Sequence, residues 1–326
     1  MDTARSKYLL LMFLLFAALC SSAVLIFKRT DLFPWVGSCP AGGLTNEYYL
    51  AYCHSRRYGD YELYSFLENT EPEQIANAQS ADLLFLGNSR TQYAFSTDAV
   101  DQYLKRRSID YFVFGFGFGA KMDIPLRLMS QYNINPAVVI VNADPFFTTQ
   151  KSLMVSKVTD GQRNTRWEYS VKRRLQAWQK TVCADEHKNV STFIKNVACS
   201  GSEETVFRSV RNGFWDTRYF RKDQRIPVGY ESTEQVDFED SLTSAKQFIA
   251  DTGLSPDCVI LTVTPRTDTP NKFAKKLAST LDMPLLLPEL GNLTTVDDSH
   301  LSPDSAERWS EAILKLSEPL LDDCLN

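Results

Sequence analysis

The hydrophobic positions of this chain fall into two regimes. The first is one unbroken run, Tyr8 to Phe27 (YLLLMFLLFAALCSSAVLIF), without a charge. As a helix rising ~1.5 Å per residue, it is about as long as the ~30 Å hydrocarbon core of a bilayer is thick. That length predicts a retained transmembrane anchor over residues 1–27. A cleaved signal peptide, with Ser21–Ser22–Ala23 as its small-residue cleavage site, is the alternative. Arg5 and Lys7 precede the run and Lys28 and Arg29 follow it, so flanking charge barely separates the two orientations.

The second regime fills residues 28–326. Residues 28–80 are mixed and turn-rich. From there, short apolar runs alternate with helical patterns. Asp82–Leu86, Tyr111–Phe116, Val138–Val141, Val259–Val263 and Pro284–Leu287 read as buried strands. Helices are expected from a Ser96 cap to about Lys105, over 121–132, 238–250 and 271–281, and from Ser302–Pro303 onward. In the last, a capping residue precedes a proline at the first helical position. The alternation predicts an α/β fold with a doubly wound, mainly parallel sheet. Residues 151–235 interrupt it. They are rich in Arg, Lys and Trp and read as a largely helical insertion. Within them, Phe207–Lys222 alternates aromatic and basic side chains. That suits an amphipathic helix or loop over the sheet, or a lid above an anionic or glycan substrate.

Composition narrows the partners and the compartment. The 326 residues are 44% hydrophobic, enough for one large domain with an insertion. A net charge of -5 gives no electrostatic reason to expect nucleic acid. Of seven cysteines, Cys20 lies in the apolar run. The other six suggest disulfides behind an export signal, and sequence proximity favours Cys39–Cys53 and Cys183–Cys199, leaving Cys258–Cys324. No C-x-x-C pair supports a zinc ribbon or a thioredoxin motif. No metal and no cofactor are expected.

Parallel sheets build sites beyond the carboxyl ends of their strands. Gly87–Asn88–Ser89–Arg90 follows the first core strand directly; taken alone, it is what an ordinary turn contains. Asp297–Asp298–Ser299–His300 lies between the last strand and the last helix. The chain has three histidines, His54, His187 and His300, so the search for a general base is short. A serine hydroxyl needs such a base to become nucleophilic. The base needs a carboxylate to fix its tautomer, and Asp297 or the adjacent Asp298 can supply it.

Gly87–Asn88–Ser89 near the start of an α/β domain, with Asp297-x-x-His300 near its end, resembles the SGNH (GDSL-like) hydrolase superfamily. Gly-Asn-Ser-Arg behind an N-terminal anchor looks most like its bacterial membrane-anchored branch, related to proteins of cell-envelope acylation. The resemblance covers about residues 80–150 and 255–320. It implies a flavodoxin-like sheet, with Ser89 as nucleophile, His300 as base and Asp297 as its carboxylate. It also implies an oxyanion hole of a glycine amide and an asparagine side chain. Gly117, or Gly115 as the alternative, is the glycine in Phe114–Gly119; Asn142 is the asparagine; Arg90 is a further substrate contact. The chain departs from the family pattern at two points. No asparagine precedes the glycine, and Asn142-Ala143-Asp144 stands where Gly-x-Asn-Asp is usual.

The expectation is therefore a serine esterase or O-acyltransferase of the inner membrane, single-pass, with a periplasmic domain. Its substrate would be acyl groups of a cell-envelope or exopolysaccharide, and its partner a membrane O-acyltransferase. The alternative is a catalytically degenerate domain that binds polysaccharide or serves assembly.

Overall fold

Alternation along each strand decides how the central sheet is covered. In the computed structural model, which describes residues 3–30, 45–53, 60–117, 119–150, 205–218, 224–230 and 237–325 together with 174, 178 and 181, five strands form one parallel sheet. They are β2 (Leu83–Gly87), β3 (Tyr111–Gly115), β4 (Val138–Asn142), β8 (Val259–Thr262) and β9 (Leu285–Leu286). Their order is β3-β2-β4-β8-β9 and every pairing is parallel. This mixed α/β order is compatible with a doubly wound fold. Leu84, Leu86, Phe112, Phe114, Val139 and Leu261 join one hydrophobic cluster. Their neighbours Leu83, Phe85, Tyr111, Val113, Ile140 and Ile260 join another. Strands buried on both faces have no polar side to show, which is why they read as unbroken apolar runs.

Helices supply both covers. Phe66 of α2 (Asp60–Leu67), Ile75 of α3 (Pro72–Gln79), Leu128 of α6 (Asp123–Tyr132), Phe248 of α7 (Phe238–Thr252) and Leu277 of α8 (Asn271–Leu281) belong to the first cluster. Phe95 of α4 (Ser89–Phe95), Leu104 of α5 (Asp98–Arg106) and Trp309 of α9 (Pro303–Leu325) belong to the second. The helix expected from Ser96 to about Lys105 is α5, with its cap one residue later. Ser96 closes α4, and Thr97 caps α5 by accepting from Val100 N at 3.2 Å.

The insertion departs from expectation at its end. Residues 205–209 are not helical. They form β5 (Thr205–Ser209), antiparallel to both β1 (Tyr48–Cys53) and β6 (Trp215–Asp216), and are followed by the short β7 (Ile226–Pro227). The physical reason is Arg208, whose side chain is fully buried. It donates to the Gly115 carbonyl at 2.9 Å and to the Val113 carbonyl, while Val113 N donates to Asn212 O. These groups belong to β3, the edge strand of the parallel sheet, and an edge strand needs such cover. Most of residues 151–204 lie outside the described residues, and so do Cys39, Cys183 and Cys199, on which the expected Cys39–Cys53 and Cys183–Cys199 pairings depend. Cys258 and Cys324 are joined, with Cα atoms 5.8 Å apart.

By contact the chain divides into two units, 1–42 with 163–202, and 43–162 with 203–326. The apolar run lies in α1 (Thr3–Thr30), whose described side chains, residues 8–22, are mostly exposed. Among the described residues no helix is long and apolar enough to cross a membrane.

Candidate active site

Strand β2 ends in a turn that only glycine fits. Gly87 has φ +155, and a Cβ there would lie 2.1 Å from Thr91 Oγ1 and 3.2 Å from Asn142 Cβ. The chain then enters α4. Asn88 caps it by accepting from Arg90 N at 2.9 Å, and donates its own amide to Asp144 O at 3.1 Å. Ser89 is the first residue of the helix. The N–H of that position has no acceptor within the helix, and its side chain starts at the carboxyl end of β2.

His300 arrives from the far end of the sequence. The loop that carries it is pinched at its base, with Val296 N donating to His300 O at 2.8 Å and Ser302 N to Thr294 O at 2.9 Å. Asp297 accepts from the backbone N–H of His300 at 2.9 Å and of Ser299 at 3.3 Å. Both of its carboxylate oxygens lie 2.9 Å from His300 Nδ1. That contact makes Nδ1 the protonated nitrogen of the neutral ring and leaves Nε2 as an acceptor. Nε2 stands 2.8 Å from Ser89 Oγ. The serine is only 8% exposed. Asp298, the rival carboxylate, is exposed and occupies a left-handed conformation with φ +67.

The remaining expected residues are placed differently. The Gly117 N–H donates to Glu62 Oε1 at 2.8 Å. It is therefore committed to a protein carboxylate rather than turned toward a substrate oxygen. Gly115, the alternative, pairs with Gly87 in the sheet. A Cβ on it would lie 2.7 Å from Gln92 Cγ and 3.0 Å from Asn88 O, so this glycine permits the close approach of α4 to β3. Glu62 is fully buried and also accepts from Arg208 and from Trp215 Nε1, each at 2.9 Å. Burial pushes its carboxyl up, and the Arg208 charge opposes that. Asn142 is 1% exposed. Its Oδ1 accepts from Thr264 N at 3.2 Å, and its Nδ2 has no hydrogen-bond partner among the described residues. Arg90 faces inward, donating to Ser299 Oγ at 2.9 Å and pairing with Asp144 at 3.4 Å.

Two residues of the site escaped the sequence reading. Tyr93 lays its ring against His300, with centroids 4.4 Å apart and planes at 36°. It sits four residues after Ser89 on one helix, a spacing that places both on one face, so the signal was present. Arg266, 2.9 Å from Asp144, follows β8 at the same edge of the sheet; only its position beyond a strand end marked it.

Ser89, His300 and Asp297 converge here in hydrogen-bonded series, and the group lies where the strand order reverses between β2 and β4. Among the described residues no cluster of side chains suits a metal ion. No family model matches the chain, and neither a curated protein nor a solved structure matches it.

Proposed function

We propose that this chain is a serine esterase or O-acyltransferase of SGNH type, anchored by its apolar N-terminal run, acting on acyl groups of cell-envelope or exopolysaccharide. The observation that carries the reading is the series Ser89 Oγ, His300 Nε2, His300 Nδ1 and Asp297, with contacts of 2.8 and 2.9 Å. Ser89 Oγ attacks the ester carbonyl carbon while its proton passes to His300 Nε2. The tetrahedral species collapses, and the leaving alcohol takes that proton from His300. Water then releases the acyl group as acid, or a sugar hydroxyl takes it up, with His300 accepting the proton of the attacking hydroxyl and returning it to Ser89 Oγ as the serine leaves. Asp297 holds the ring and favours the imidazolium. The Ser89 N–H and the Asn142 Nδ2 are the donors proposed for the oxyanion. The Cys258–Cys324 disulfide supports an oxidising compartment, where envelope polymers are modified and a membrane O-acyltransferase could hand over an acyl group.

One observation favours the second reading, a binding or assembly domain without turnover. The Gly117 amide, a usual oxyanion donor in the resembling family, is held by Glu62. Ester hydrolysis decides between the two. With p-nitrophenyl acetate and an O-acetylated polysaccharide, Ser89→Ala and His300→Ala should each lower kcat by about a thousandfold or more, and the double variant should be no worse, since the two act as one unit. Wild-type turnover no faster than that of Ser89→Ala would favour binding.

A further inference from the structure

Three chain segments that meet at the site are joined through one guanidinium. The turn that carries Ser89 continues into Arg90. From there Arg90 Nε donates to the hydroxyl of Ser299, the residue before His300, at 2.9 Å. Its Nη1 lies 3.4 Å from both the carbonyl and the carboxylate of Asp144, beyond β4. Asp144 is 2% exposed, and its carboxylate also pairs with Arg266 at 2.9 Å. The next residue, Thr267, donates its N–H to the Asp298 carbonyl at 3.2 Å. The loop of His300 is thus held from one side by Arg90 and from the other by the segment after β8, and both lead back to Asp144. A buried carboxylate between two arginines is an anchor of high cost if broken, because removing a partner leaves charge unpaired.

We infer that Arg90 is a positioning residue, which fixes the Asp297–His300 loop against the turn of Ser89. This rests on the proposed hydrolase reading for its kinetic consequence and on geometry for its structural one. The planar fork of the guanidinium serves two partners at once, through Nε and Nη1. A lysine ammonium offers the charge without that fork. A substrate-binding arginine would behave otherwise: its charge alone would matter, and its loss would raise KM for an anionic substrate.

The test compares Arg90→Met, Arg90→Lys, Ser299→Ala and the double variant Arg90→Met/Ser299→Ala in the full chain. The first readout is amide hydrogen exchange at Val296 and His300, whose N–H groups close the loop. The second is the split between kcat and KM for p-nitrophenyl acetate and for the anionic ester p-nitrophenyl hydrogen succinate. Arg90→Met and Ser299→Ala should each speed exchange at these two amides by about tenfold, while the β2 amides stay protected, as expected for a local opening. Each should lower kcat about tenfold or more with KM unchanged, because a small misplacement of the base is costly. Lysine should not rescue, and the double variant should be no worse than Arg90→Met. Unchanged exchange in both single variants would overturn the inference. So would a rise in KM alone that lysine reverses. Should Arg90→Met fail to fold, Ser299→Ala, which removes one hydroxyl, carries the same test. If wild-type protein turns over no ester, the hydrolase reading fails, while exchange at Val296 and His300 still decides the role of Arg90.

Discussion

His300 is addressed by Asp297 at one nitrogen, Ser89 at the other and the Tyr93 ring on its face. Two carboxylates adjoin it in sequence, and backbone conformation separates them. Asp297 folds back to take the N–H of His300, whereas Asp298 spends its residue on the left-handed turn. Asp297→Ala should therefore lower kcat by about 10³–10⁴-fold, the scale of losing the orienting carboxylate. Asp298→Asn should stay within about threefold of wild type, since asparagine tolerates that conformation. Ester kinetics on both variants check this, and equal losses would contradict the assignment. That Ser89, Asp297 and His300 meet was legible because the proposed chemistry needs those residue types and the chain offers three histidines. The Gly117 amide was misread for a tertiary reason. Its partner Glu62 lies 55 positions away, in a segment with no signal of its own. Arg90 was read as a substrate contact because nothing in its neighbours reveals the acceptor, Ser299, that turns it inward.

At the scale of elements, the parallel strands announced themselves as apolar runs, and boundaries moved by a residue or two. The antiparallel trio of β1, β5 and β6 did not. A strand reading Thr-Val-Phe-Arg-Ser carries a charge that sequence reasoning sends to the surface. Arg208 is buried because Glu62 and the β3 carbonyls receive it, and the Phe66 and Phe116 rings stack on it with centroids 4.8 Å from its guanidinium carbon. The other end of the same edge is held by Asp101 of α5. It accepts from Tyr111 Oη at 2.7 Å and pairs with Lys105 and Arg211. Burial raises its carboxyl, but the bonds from Lys105 and Tyr111 and the Arg211 charge outweigh it, so its pKa lies below the ordinary 3.8. The unfolded chain therefore binds the proton more readily, and Asp101 stabilises the fold above about pH 4 and loses that effect as pH falls through its folded value. Urea unfolding should show Asp101→Asn destabilised more at pH 7 than at pH 3. Equal penalties at both would mean that charge does not hold this edge.

On the scale of the molecule, residues far apart in sequence meet at one sheet edge because each strand ends there. Ser89 and His300 are 211 positions apart, and the disulfide between Cys258 and Cys324 ties the distal part of α9 to the segment before β8. A link over 66 positions is worth about 4 kcal/mol on the chain-entropy account. The α/β class and the place of the site followed from strand–helix alternation. The substrate does not follow from it, because a fold carries many chemistries and only the site selects one. The central claim is that Ser89 is a nucleophile made reactive by His300. Intact-mass measurement of the full chain after incubation with a fluorophosphonate tests it most directly, since attack forms a bond from Ser89 Oγ to phosphorus and expels fluoride. The account predicts one adduct, mapped to Ser89, absent from Ser89→Ala and strongly slowed in His300→Ala. Folded, disulfide-bonded protein that takes up no phosphonate, or takes it up at Ser89 equally fast without His300, would contradict it.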